Sequence, residues 1–217
     1  MRSDALPATI SAAAVAIGGS IILAGMQFGP ISGHMATHIA IMNGLAPAVA
    51  VAVLYFPRVV TERASALWVC VVLQCLLLLM WHLPIFQVES ALPVLLMSVA
   101  LFLTAACFWV LVLRAADSSP WRAMIALMIT GKVACLLGGL FIFAPRLLFP
   151  ESLHAVHGEG PNGLEDQQLA GLLMISVCPL SYVIAGIVVA AQMLSRLERF
   201  AEHDGSPQFV PSLPRQL

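Results

Sequence analysis

Long apolar runs separated by short polar breaks dominate the pattern of this chain. Six runs stand out, at about 9–28, 34–56, 65–83, 90–114, 121–145 and 168–195. Each has the ~20 apolar residues that an α-helix needs to cross the hydrocarbon core. None alternates with period two over strand length, so a membrane β-barrel is excluded. The breaks hold turn residues: Gly29-Pro30, Pro57-Arg58, Pro84, Ser118-Ser119-Pro120 and the stretch Pro150 to Asp166. The pattern predicts an all-α integral membrane protein, a bundle of six transmembrane helices. It sets a helical domain over 1–199 and a disordered cytoplasmic tail over 200–217, where Gly205, three prolines and mixed charge end the periodicity.

Composition sharpens this reading. The 217 residues are 60% hydrophobic and 10% charged, with mean hydropathy +0.96. A soluble domain carries ~25% charged residues, so this chain has too little polar surface to be one, and the lipid bilayer is its solvent. A net charge of −1 excludes a broadly basic nucleic-acid binder. The five cysteines fall inside apolar runs with no CxxC spacing and read as small buried hydrophobes.

Basic residues set the orientation. With the N-terminus inside, the cytoplasmic parts carry Arg2, Arg58, Arg63, Arg114, Arg122, Arg196, Arg199 and Arg215, and the outer side only Arg146. Both termini are therefore expected in the cytoplasm of a multi-pass inner (plasma) membrane protein. The first run follows Arg2 and ends in small residues like a signal peptide, but it exceeds the usual 7–15 apolar residues and lacks a convincing A-x-A cleavage site at its end, so it reads as a retained helix.

This threading gathers the chain's chemistry at the outer face. His34, His38 and Met42 are spaced i, i+4, i+8 on the second helix, with Met35 beside them. Two imidazoles one turn apart suit one metal ion, and a thioether one turn deeper favours Cu(I). His82 ends the third helix at the same face. The outer loop adds His154-x-x-His157 with Glu159, and the sixth helix opens with Glu165-Asp166-Gln167-Gln168, a ligand set or a helix N-cap. Lys132 lies near the bilayer centre and is expected to pack inside the bundle, with Asn43 and Gln74 as neutral partners. A haem b site ligated by His38 and His82 is the alternative to copper. A structural subunit of a respiratory complex is a further alternative, and a transporter using Lys132 and Asp166 ranks last for want of repeated halves.

Several segments resemble the CtaG-like family of membrane proteins, linked to assembly of cytochrome c oxidase and its copper. Gly33-His34-Met35-Ala36-Thr37-His38, continuing through Met42 to Ala46-Pro47, is similar to that family's histidine-methionine helix. Trp81-His82-Leu83-Pro84 resembles its WHxP segment, Phe108-Trp109 its FW pair, and Asp166-Gln167-Gln168-Leu169-Ala170-Gly171-Leu172-Leu173-Met174 its DQQLAG-x-x-M segment. The resemblance covers about residues 28–195. It implies a non-enzymatic, copper-handling assembly factor with oxidase subunits as partners. Two departures accompany it. The chain has six predicted helices where the family usually has seven. The run Pro93 to Ser98 holds no histidine where the family has them, so a site built there is weakened, replaced by Met97, or absent.

Overall fold

The computed structural model describes residues 28–54, 64–82, 91–148 and 163–204. Among them every regular element is helical: α1 (Pro30–Ile39), a π-turn (Ala40–Leu45), α2 (Ala46–Leu54), α3 (Ala64–Trp81), α4 (Ala91–Ser118), α5 (Pro120–Phe143), α6 (Gly163–Ser176) and α7 (Cys178–Asp204). Four stretches are long and apolar enough to cross a membrane: Pro30–Leu54, Leu92–Ser118, Pro120–Phe143 and Gly163–Phe200. Ser65–Trp81 is a shorter apolar helix. The described residues are thus all-helical, and their apolar spans are those of a membrane protein. The expected first helix, 9–28, lies almost wholly outside the described residues, as do 205–217 of the expected tail.

Two prolines interrupt otherwise continuous helices. Pro47 offers no N–H and crowds the preceding turn, and the chain widens into the π-turn just before it. The Ala46 N–H bonds to Ile41 O, five residues back. This removes the usual partner of Met42 O, and the next residue in a π-pattern is Pro47, which has no N–H to give. Pro179 stands just after a break at Val177 that divides α6 from α7.

α5 is the hub. It packs on α4, α6 and α7, and also on α3. Its inward face is small: Ala123, Ala126, Thr130, Gly131, Ala134 and Gly138 are all buried. At the crossing with α6, a Cβ on Gly171 would stand 2.6 Å from Gly138 O, and one on Gly138 would stand 2.8 Å from Gly171 O. The two backbones touch here, an approach that only small residues permit in membrane helices. The outward faces are apolar, with Leu136 74% and Phe143 82% exposed, as lipid requires.

Lys132 departs from expectation: it lies exposed on the outer face of α5. One residue earlier, Gly131 faces Tyr182 and Pro179 on α7, and a step of one residue turns the side chain about 100° around the helix. Its expected partners are engaged elsewhere. Asn43 Nδ2 donates to Cys178 O at 3.2 Å, and Gln74 Nε2 to the Tyr182 hydroxyl at 3.4 Å.

Replacing Gly171 or Gly138 with Val should force α5 and α6 apart and cost about 1–3 kcal/mol, the usual range for overpacking. Gly139→Ala, at a position with open space around its Cβ, should be nearly neutral. Thermal unfolding in detergent measures both, and equal stability of Gly171→Val and wild type would contradict the close crossing.

Candidate functional site

One end of the bundle gathers the start of α1 with the ends of α3 and α5 and the start of α6. It is organised by polar side chains that satisfy helix termini. α1 begins at Gly29, which has no capping side chain, followed by Pro30. The exposed N–H groups of its first turn are served by Asp166 on α6. Asp166 Oδ2 accepts from Ile31 N at 2.7 Å and Oδ1 from Ser32 N at 3.2 Å, and the Ser32 hydroxyl also donates to Oδ1. These are the N2 and N3 donors that a local cap would normally serve. The carboxylate also sits in the first turn of its own helix, so two positive helix ends meet one negative charge. A Cβ on Gly29 would lie 2.3 Å from Asp166 Cγ, which explains the absence of a side chain there.

Gln167, fully buried, does the same for α5. Phe141 O would normally accept from residue 145, but that residue is Pro145. Gln167 Nε2 donates to Phe141 O at 3.3 Å and to Arg146 O at 3.4 Å, while its Oε1 accepts from Leu148 N at 2.7 Å. Deeper in the bundle, Trp109 Nε1 donates to the orphan Met42 O at 3.0 Å. Its ring stacks on Tyr182 at 5.5 Å between centroids, and Phe108 meets both rings edge-on.

Three histidines stand beside this frame. The ring centroids of His34 and His38 are 4.2 Å apart, and those of His38 and His82 are 5.6 Å apart. His82 ends α3, where its own N–H turns back to Leu79 O at 3.2 Å, so Leu78 O loses that helical partner. His82 Nδ1 lies 2.5 Å from Leu78 O. A carbonyl can only accept, so Nδ1 carries the proton and Nε2 of the neutral ring carries a lone pair. That Nε2 faces Met35 Sδ at 3.1 Å. In the neutral ring, nitrogen and sulfur therefore oppose each other as two electron-pair donors. His38 is buried, 4% exposed, and neither of its ring nitrogens has a hydrogen-bond partner among the described residues.

The chain matches the cytochrome c oxidase caa3 assembly factor family (Caa3_CtaG) over residues 9–196. It belongs to that family. No curated protein and no solved structure matches it. The segments that resembled CtaG-like proteins in the sequence are those just described: Asp166, Gln167, Trp109 and His82 each satisfy a helix end or an orphan carbonyl, and the histidine-methionine helix carries the imidazoles and thioether beside them.

Of the expected site residues, the structure gathers His34, His38, His82 and Met35. Met42 is buried, but the π-turn breaks the even spacing that aligned it with His34 and His38, and its carbonyl is bonded to Trp109. Met97 is buried within α4. Asp166 lies at the same end, committed to α1 rather than only to its own helix. Lys132 lies apart, and His154, His157 and Glu159 fall outside the described residues. The sequence reading passed over Gln167 as an anchor of α5, and Gly138 with Gly171. Pro47 and Pro145 were the available signals: Pro145 removes the donor four residues after Phe141 O, and Pro47 the donor five residues after Met42 O in the π-pattern.

Trp109→Phe keeps an aromatic ring but removes the indole N–H that donates to Met42 O. Leaving that buried carbonyl unpaired should cost about 1–3 kcal/mol. Asp166→Ala, which strips the cap from α1, should cost at least as much, and Asp166→Asn less, since one oxygen acceptor remains. Thermal melts of the three variants check the order. A Trp109→Phe protein as stable as wild type would remove the orphan-carbonyl account.

Proposed function

We propose that this cytochrome c oxidase assembly factor handles copper at the outer, periplasmic face of the inner membrane, using His34, His38, His82 and Met35. One contact carries the reading. His82 Nε2 and Met35 Sδ oppose each other at 3.1 Å with no hydrogen to share in the neutral ring, the state a soft cation relieves. The Nδ1–H to a backbone carbonyl is also the outer contact that commonly orients a ligating imidazole. His38 adds two buried ring nitrogens without partners.

The donor set fits the metal. Among the described residues no group of three His, Cys, Asp or Glu side chains is placed to hold an ion by itself; the reading rests on the His82 Nε2–Met35 Sδ contact, and imidazole with thioether suits Cu(I). When bound, the ion would be cargo for an oxidase subunit. The protein's own work is to hold α1 on α6 through the Asp166 cap, keep His82 in one tautomer, and exclude water from His38. The haem b reading has less support: axial ligation needs two ring nitrogens facing across a porphyrin, whereas His82 directs Nε2 at Met35 and meets His38 edge-on.

Copper content and an absorbance spectrum of detergent-purified protein test the reading. Copper without a haem Soret band is expected, with His34→Ala plus His38→Ala losing most of the copper and the oxidase activity of the cell while the protein still inserts. Full oxidase activity and unchanged copper in that double variant would sink it.

The outer placement has its own check. Ser119→Cys and Asn162→Cys should label on opposite sides with an impermeant thiol reagent, Asn162→Cys from outside. The reverse result would put the histidines at the cytoplasmic face.

A further inference from the structure

Lys132 is the thirteenth residue of the 24-residue α5, and at 1.5 Å per residue it lies about 16–18 Å from either helix end. Its side chain is too short to bring the ammonium to an interface from that depth. It is exposed, and among the described residues it has neither an ion pair nor a hydrogen bond. The groups around it on the same face are Met128, Ile129, Leu136, Leu140 and Phe143, all exposed and apolar. Gly139 notches this face, since a Cβ there would meet nothing within 4 Å.

A lysine on an outward face at mid-bilayer is costly in lipid and needs a polar partner. Among the described residues no side chain supplies one. Its eleven acidic residues include none inside the central turns of an apolar run, and the undescribed run 9–28 contains no Asp or Glu. A second copy of this chain would bring no carboxylate to this depth either. We infer that the α5 face centred on Lys132 is the docking surface for a transmembrane helix of another protein, one carrying a carboxylate at the depth of Lys132. Charge complementarity fixes the register, and the Gly139 notch allows close backbone approach. The surface lies on a face of α5 that takes no part in the histidine site, so it does not depend on the copper reading.

Photo-crosslinking groups placed one turn to either side, at Met128 and Leu136, test this in cells that also make the oxidase, with Leu76 on the exposed face of α3 as control. The expected result is an adduct from Met128 and Leu136, and not from Leu76, to a membrane segment of another protein with Asp or Glu within one turn of the crosslink. Lys132→Leu should lower its yield about tenfold, as expected if ~1.4 kcal/mol of pairing is lost, Lys132→Glu should lower it further, and Lys132→Arg should keep it. Copper content should be unchanged in all three, while His34→Ala plus His38→Ala should leave the crosslink intact, so failure of either proposal is distinguishable. Adducts with lipid alone, with a second copy of this chain or with a segment lacking a carboxylate would overturn the inference, as would the absence of any adduct or a yield indifferent to Lys132→Glu.

Discussion

The placement of the candidate site depends on one carboxylate. Asp166 reaches from the start of α6 to the first turn of α1 and satisfies the N2 and N3 donors there. In a bundle solvated by lipid no water replaces a missing cap, and each unsatisfied backbone group is costly. The cap therefore fixes where α1 begins and, through the rigid turn that follows, where His34, Met35 and His38 stand. Gly29 makes room for it, and Ser32 closes the contact from the other side. Because α6 also packs on α5 through Gly138 and Gly171, this carboxylate ties the histidine helix to the hub of the fold.

The same economy recurs wherever the helices are imperfect. Pro47 leaves Met42 O without a donor and Trp109 supplies one. Pro145 leaves Phe141 O without a donor and Gln167 supplies one. The turn-back at the end of α3 frees Leu78 O, and His82 supplies the proton. In each case a side chain from another element, or from just past the helix end, replaces a backbone bond inside an apolar bundle. The polar motif residues are thus structural at one atom, and His82 alone among them turns a second atom toward another candidate ligand.

How much of this was legible in the sequence follows from what kind of signal each feature leaves. Apolar run length reveals helices directly, and the described elements fall on the expected runs, although α1 starts at Pro30 rather than 34 and the sixth run is broken at Val177. Convergence of His34, His38 and His82 was also readable, because helices of bilayer length must alternate direction. Rotation about the helix axis was not readable. In a run that is apolar all round there is no stripe to say which face is inward, and Lys132 was placed inward on the cost of its charge alone. The inward face of α5 is instead marked by small residues, a weaker signal that Gly131, Ala134 and Gly138 do carry. The capping role of Asp166 on a helix over 130 residues earlier leaves no local pattern at all.

The histidine end also shows how stability and function divide between neighbouring residues. A buried polar group without a partner costs about 1–3 kcal/mol, and His38 has two such atoms. The Asp166 cap, the Gln167 bridge and the Gly138–Gly171 crossing are each fully satisfied or closely packed, and together they hold α1 in place against the pull to expose that ring. A helix held only by its own apolar contacts could rotate and bring His38 to a polar surface. Held at its N-terminus by a carboxylate and at its π-turn by a tryptophan, it cannot do so without breaking both. The unsatisfied imidazole and the opposed nitrogen and sulfur of His82 and Met35 are therefore retained by the surrounding frame, which is what a site kept ready for a ligand requires.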